Sequence, residues 1–421
     1  MGKVLAKSGS HFQFFRSETP ATTLAVVFSS RASRPPNFTF WKKFQSLDCH
    51  VVYINCPVPE WYRLGIPGIA GGLRGAGRSI EEFSREVGAQ RVVAVGSSMG
   101  AYGAALFGHF TKFDDMLLFG LEPLLGMPGG QAEVTRNQHM AIYPDLRQVN
   151  WGAATVVYGE MDINDVLGAA LLYEKSKASL LCLPFAQHDT PEFLDSFSCL
   201  DLMFNRLLQG TEVRIKVHPD RHPHADPEIA RALWAVKVHL AQRNWKEVDR
   251  TLSSFSRAVD RSLTAKYVSA VADYKLHRVD QSIPKFERIL ETIPLYWEAW
   301  LNLANALSKK SLGERAIVAA TNAVRLRPHR SIAHFQLATI LEKFGNHHGA
   351  LVHVQFAHRL NNESEAYRKK LIELSSATGD PPTLNDGLQE VVFKQAAREA
   401  KIRFGDLDYF GVSDRPPVAV S

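Results

Sequence analysis

The chain has 421 residues, 45% hydrophobic and 22% charged, with a net charge of +6 at pH 7. That length exceeds one ordinary core and predicts two or three domains of soluble, globular composition. Lys and Arg are scattered along the chain, which argues against a basic stripe for nucleic acid or a membrane surface. No run approaches the roughly 18 apolar residues of a membrane span. The amino-terminal MGKVLAKSGSHFQFF lacks the apolar segment and cleavage site of a signal peptide, so a cytoplasmic location is expected. Cys49, Cys56, Cys182 and Cys199 lie far apart and read as reduced, buried small hydrophobes.

Residues 20–210 alternate apolar runs with amphipathic stretches. Strands are predicted at 22–30, 49–57, 91–96, 115–121, 154–159 and 179–184. Helices are predicted at 36–46, from Ser79 (with Glu82 completing a capping box), at 101–110, at 165–175 and at 191–208. Continuous apolar strands separated by helices predict an α/β fold, a parallel sheet with helices on both faces, over residues 1–212.

Residues 213–226 read as a linker. His218, His222 and His224 in it lack helical i,i+4 spacing and any Cys or paired carboxylate, so no metal site is expected there. Beyond it the pattern is wholly helical and repeats. Pro294 and Pro328 are 34 residues apart, as are Ala316 and Ala350, Ala323 and Ala357, Leu303 and Leu337, and Leu326 and Leu360. Copies fall at 297–330 and 331–364, a third at 263–296, and a degenerate first one at 228–260. One such unit cannot bury its own apolar face, so stacked units predict an all-α solenoid over 227–376, capped at 364–376. Residues 377–421 would hold a last helix over about 388–402 and a loose tail.

The chemistry concentrates in VVAVGSSMGAYGAALFG (92–108). Gly96-Ser97-Ser98-Met99-Gly100 is a G-x-S-x-G placed between an apolar strand and a small-residue helix. A strained strand-to-helix turn there would project the Ser98 hydroxyl, with the glycines giving backbone clearance and Ser97 structural. A serine nucleophile needs a general base and an acid to orient it. His188, in the loop after strand 179–184, is preferred as base over His109 and His139. Asp162, after strand 154–159, is preferred as acid over Asp165, which reads as the first turn or cap of the next helix; Glu160 is a third choice. The oxyanion would be met by the backbone N–H of Met99 and a second donor in the loop FSSRAS, with Ser30 ahead of Ser29 or Arg31. The glycine-rich loop after strand 49–57 is expected either to be a surface connection or to wall the substrate cleft with Trp61, Tyr62 and Arg63, while Arg63, Arg74 or Arg78 would suit a carboxylate or phosphate. No metal or organic cofactor is implied.

Through that motif and its succession of strands and helices, residues 20–210 resemble the α/β-hydrolase superfamily. WYRLGIPG followed by VGSSMGAYGAALFG is similar to serine hydrolases of bacterial surface-polysaccharide and glycan-modification clusters. The resemblance implies an acyl-ester substrate, with acylated carbohydrate as one class. It implies a serine esterase, with acyl transfer to a sugar hydroxyl or a non-catalytic interaction protein as alternatives. This chain departs from larger relatives in leaving little room for a leading strand pair (only HFQFFR, 11–16) and in a short cap region at 122–150. The helical period resembles tetratricopeptide repeats over about 228–376, which implies a docked protein or peptide partner.

Overall fold

The computed structural model describes residues 2–380 except 58–59, 131, 133–142, 149, 151, 174, 185, 214, 216 and 218–219. His139, His218 and the helix expected at 388–402 lie outside the described residues. The chain divides into two compact units, the first running from Met1 to Arg243 and the second beginning at Asn244.

The first unit is built on one eight-stranded sheet. Its strands are β1 (Lys3–Ser8), β2 (Phe12–Ser17), β3 (Thr23–Phe28), β4 (His50–Ile54), β5 (Arg91–Ser97), β6 (Asp115–Phe119), β7 (Thr155–Gly159) and β8 (Ser179–Leu183). Their order across the sheet is β1-β2-β4-β3-β5-β6-β7-β8. The sheet is mixed rather than wholly parallel, because β2 pairs antiparallel with both β1 and β4, while β3 to β8 pair in parallel. The leading strand pair therefore exists. Its outer member KVLAKS is almost wholly exposed and carries Lys3 and Lys7, a polar edge strand without the apolar signature of the others.

Helices cover both faces, as the continuous apolar strands require. Leu24, Val26 and Phe28 of β3 join one core with Ile80 and Phe83 of α2 (Gly72–Glu86) and Phe107 of α3 (Met99–Phe107). On the opposite face Tyr53 packs on Trp41 of α1 (Trp41–Ser46) at 4.6 Å, and Phe44 meets Phe204 of α6 (Cys199–Gln209) at 4.9 Å. Several boundaries differ from the sequence reading: α1 begins at Trp41 instead of residue 36, and α3 runs from Met99 to Phe107 instead of over 101–110. α2 begins at Gly72, so Ser79 and Glu82 lie inside the helix instead of capping it. Its glycines permit this, since a Cβ on Gly75 would fall 1.9 Å from the Ala70 carbonyl oxygen. The helix expected at 191–208 is broken into α5 (Thr190–Ser196) and α6, with Ser198 at φ 59 between them. α4 (Ile163–Tyr173) starts two residues earlier than expected.

Residues 213–226 are not a solvated linker. Val213, Ile215 and Val217 are buried. Arg221 donates to both carboxylate oxygens of the fully buried Glu160, at 2.6 and 2.8 Å. His224 Nδ1 lies 2.6 Å from the Tyr158 hydroxyl, and burial, followed by the neighbouring His222, pushes its pKa down to about 4. Asp226 caps α7 (Pro227–Ala241) by accepting the N–H groups of Glu228 and Ile229, and α7 packs on α4. The segment and α7 thus belong to the sheet unit, and the degenerate first repeat at 228–260 is split between the two units.

The second unit contains α8 (Trp245–Ser254), α9 (Ser256–Arg261), α10 (Leu263–Lys275), α11 (Val279–Thr292), α12 (Trp297–Lys309), α13 (Gly313–Leu326), α14 (Ser331–Lys343), α15 (His347–Leu360) and α16 (Glu365–Thr378). The pairs α10–α11, α12–α13 and α14–α15 stack in sequence, and α16 closes on α15. Ala316, Ala323, Ala350 and Ala357 are fully buried, and Leu303 and Leu337 nearly so, which explains their shared period. Leu360 is exposed, so the Leu326–Leu360 repeat does not mark core. Among the described residues all four cysteines are buried, and no helix is long and apolar enough to cross a membrane.

Candidate active site

Ser98 occupies the one-residue turn between β5 and α3, with φ 54 and ψ −118, a conformation that L-residues avoid without surrounding support. The support is local. Its N–H donates to the Phe119 carbonyl at 2.8 Å and its carbonyl accepts from Tyr102 N–H. A Cβ on Gly96 would lie 2.2 Å from the Gly100 carbonyl oxygen, and a Cβ on Gly100 would lie 2.2 Å from the Phe28 carbonyl oxygen. Both glycines are there because three backbones converge. Ser97 ends β5, paired with Phe119.

His188, in the loop after β8, brings Nε2 to 2.8 Å from Ser98 Oγ. Its Nδ1 lies 2.7 Å from Asp165 Oδ1. With Nδ1–H donating a hydrogen bond to Asp165, Nε2 is left as acceptor for the serine hydroxyl, the geometry that a serine nucleophile, its base and an orienting acid would need. The His188 side chain keeps 26% exposure and Asp165 only 2%, which leaves the imidazole reachable and the carboxylate shielded. Burial opposes a charge on His188. The Asp165 carboxylate, through its charge and hydrogen bond, outweighs that with help from Asp162 and Glu122, and raises the imidazole to about 10.

The carboxylate at the imidazole is Asp165, not Asp162. Asp162 Oδ1 instead accepts the backbone N–H groups of Asn164 at 2.7 Å and Asp165 at 3.1 Å, so it is the cap of α4. Burial and then the Asp165 charge raise its pKa. Asp165, within the first turn of the helix, is turned back toward the end of β7, and its Oδ2 accepts Gly159 N–H at 3.1 Å. Glu160 is engaged by Arg221, and His109 Nδ1 lies 3.3 Å from the Asn150 carbonyl oxygen.

Two further expectations change. The Ser30 N–H donates to Thr39 Oγ1 at 2.9 Å, and Ser29 N–H donates to the Ile54 carbonyl, so neither is aimed at an oxyanion. Met99 opens α3, where the first N–H groups have no intrahelical partner. Trp61, Tyr62 and Arg63, expected at the wall of a cleft, are all buried. Tyr62 packs edge-on against Phe28 at 5.5 Å and its hydroxyl donates to the Ser29 carbonyl at 2.8 Å. Trp61 meets Tyr102 edge-on at 5.7 Å, and Arg63 Nε donates to the Glu60 carbonyl at 3.0 Å. Their aromatic and cationic character signalled contact, but not whether that contact is with substrate or with the protein's own interior.

No protein-family model matches the chain, and no curated protein matches it. Among solved structures, MamA (residues 41 to the end) from Desulfovibrio magneticus RS-1 is 16% identical over 43% of this chain and 95% of its own, with a TM-score of 0.34. YrrB, described as a TPR protein with an unusual peptide-binding site, is 15% identical over 42% of this chain and 87% of its own, with a TM-score of 0.31. A thermophilic TPR protein of Thermus thermophilus is 18% identical over 42% of this chain and 97% of its own, with a TM-score of 0.31. These scores are low, and the repeat architecture described above rests on the helices themselves.

Proposed function

We propose that the sheet unit is a serine hydrolase of the α/β-hydrolase type that cleaves carboxylic esters, and that the helix pairs dock a protein or peptide partner. The observation that carries this is Ser98 Oγ at 2.8 Å from His188 Nε2 while His188 Nδ1 meets Asp165 at 2.7 Å. The order of parts also supports it: nucleophile after β5, acid after β7, base after β8, in the chain order serine, acid, histidine. On this reading Ser98 Oγ attacks the acyl carbonyl as its proton passes to His188 Nε2. The Met99 N–H meets the oxyanion, and the imidazolium returns the proton to the departing alcohol oxygen. Water then repeats the cycle on the acyl-enzyme. A sugar hydroxyl in place of water would make the same intermediate an acyl donor, and acylated glycans are the substrate class that the sequence resemblance brings.

The test is fluorophosphonate labelling followed by p-nitrophenyl esters of increasing acyl length and O-acetylated sugars. Ser98→Ala should remove labelling and lower turnover on the order of 10⁶-fold, while Ser97→Ala keeps labelling. A wild-type chain that neither labels nor turns over any ester would leave the docking module as the whole function.

A further inference from the structure

Within the repeat unit, α11, α12 and α13 leave an open groove of about 650 Å³. Its floor is one stripe of α12, where Trp300, Leu303 and Leu307 recur at helical spacing, and Leu290 of α11 and Ala319 of α13 form its sides. Leu290, Leu303, Leu307 and Ala319 are buried, yet Val318 beside them keeps 55% exposure. Trp300 Nε1 donates to the Pro294 carbonyl at 2.8 Å, which fixes the indole as part of the wall. The rim is acidic. Glu287, Glu291 and Glu314 face a single cation, Arg315, and Glu287 takes that cation in an ion pair. Glu291 and Glu314 are exposed and have no ionic partner among the described residues.

Packing of the repeats does not require this arrangement. The next groove along lies over α14, between α13 and α15, and its residues stand 34 positions further on. They keep the apolar floor, with Leu337, Leu341 and the exposed Val352 in place of Leu303, Leu307 and Val318. They do not keep the acids, since Thr321, Arg325 and His348 replace Glu287, Glu291 and Glu314. Nor do they keep the space, because His334 and His353 replace Trp300 and Ala319 and bring their Nδ1 atoms to 3.1 Å. One repeat earlier, the cavity among α8 to α11 is mixed in charge, with Asp249 and Asp260 beside Lys266, Lys285 and Arg288. Of these three junctions, only the groove over α12 joins open apolar space to an acidic rim.

Resting on the docking reading, we propose that this groove holds the partner, and that the partner presents an apolar side chain flanked by lysine or arginine. The apolar side chain covers Val318 and the α12 stripe, removing from water a surface that the fold itself leaves bare. Its cationic neighbours meet Glu291 and Glu314, which sets which segments are accepted. The same acids repel an anionic lipid surface, so the occupant is a protein segment.

The experiment uses the full chain and two fluorescein-labelled peptides with the same leucines, one spaced by lysines and one by glutamates. Anisotropy should show the lysine peptide binding on the order of 10-fold tighter, and weakening as salt is raised. The double variant Glu291→Lys with Glu314→Lys should abolish that preference. Val318→Ser should weaken the lysine peptide on the order of 10-fold. Val352→Ser, at the same exposed position one repeat on, should leave it unchanged. Circular dichroism and melting of each variant, all at exposed positions, check that the helices persist. Lysine-peptide affinity that none of these variants moves, or equal loss in Val318→Ser and Val352→Ser, overturns the groove assignment and leaves the docking reading standing. Tighter binding of the glutamate peptide overturns the partner's charge in the same way. Sedimentation showing wild-type dimers that Val318→Ser turns into monomers makes a second copy the occupant and overturns it too. A wild type that binds neither peptide removes this inference and the docking reading together.

Discussion

Asp162 Oδ1 accepts the backbone N–H of Asp165, so one of the two carboxylates after β7 anchors the peptide that carries the other. Their duties follow from this. Asp165→Asn should lower ester turnover on the order of 10⁴-fold, because the amide no longer favours the tautomer with its proton on Nδ1. Asp162→Ala should cost roughly 1 kcal/mol of stability as a lost helix cap, with a far smaller effect on turnover. Steady-state kinetics and thermal melts of the two variants decide it, and a larger kinetic loss in Asp162→Ala would return the acid to that position.

Why the sequence separates these residues poorly is a matter of range. The turn at Ser98 is specified by Gly96 and Gly100, whose clearances are set within a few residues, so the strained serine turn is legible in the motif. His188 was legible because it follows the last strand. Asp162 and Asp165 fall at the cap and on the first turn of one helix, and which of them meets the imidazole depends on how α4 is aimed across the sheet, a tertiary fact. The burial of Trp61, Tyr62 and Arg63 is illegible for the same reason, since residue type does not tell inside from outside. The segment at 213–217 did carry a signal: Val213, Ile215 and Val217 alternate with polar residues, the period of a half-buried extended chain. Histidines and prolines beside them obscured it.

The pH response of the site should run in opposite directions for rate and stability. Against the opposing effect of burial, the carboxylates around His188 raise it from 6.5 to about 10. Only the neutral imidazole accepts the Ser98 proton, so kcat/KM should climb from neutral pH toward about 10. The raised value contributes stability that is full below 6.5 and lost as pH rises through about 10. Rate profiles and melts across this range check both halves. His188→Gln should flatten the stability trend, and Asp165→Asn should move the residual rate profile toward acid.

Gly120, at φ 58, has no room for a side chain: a Cβ there would stand 2.8 Å from His188 Cε1. Gly120→Ala should therefore displace the imidazole and cost on the order of 10²-fold in turnover, in addition to the strain of the left-handed backbone. Ester kinetics at matched fractions of folded protein check this. An unchanged kcat would mean that His188 has slack the geometry does not suggest.

Acid should attack the repeat unit through His334 and His353. Their Nδ1 atoms are 3.1 Å apart, and His334 Nε2 lies 2.8 Å from the Pro328 carbonyl oxygen. Burial pushes them down to about 4 and about 3, with His334 adding to the effect on His353. Such groups contribute stability that is full above 6.5 and lost as pH falls through their folded values. Hydrogen exchange should show the amides of α14 and α15 losing protection as pH drops from about 6.5 to about 4, after correction for intrinsic exchange rates. His353→Asn, which can still donate to His334, should blunt that loss. The same acid sensitivity in wild type and variant would place the weakness elsewhere.

The sheet unit should require the chain as far as residue 243, and a fragment ending at residue 212 should not fold well. Cutting at 212 removes Arg221 from Glu160, a carboxylate with no solvent exposure. Breaking a buried ion pair by deleting one partner costs about 3 to 5 kcal/mol, a large part of the stability of a typical domain. The same cut removes the buried Val213, Ile215 and Val217, takes His224 from Tyr158, and strips α7 from α4. A 1–243 fragment keeps all of these. It should melt cooperatively, label with a fluorophosphonate and match the full chain on a small soluble ester. Arg221→Met isolates the ion pair, and in the full chain it should lower the melting temperature of the sheet unit while leaving α10 to α15 protected in hydrogen exchange. If the 1–212 fragment proved as stable and as active as 1–243, Arg221 and α7 would be attachments to the sheet unit instead of parts of its core.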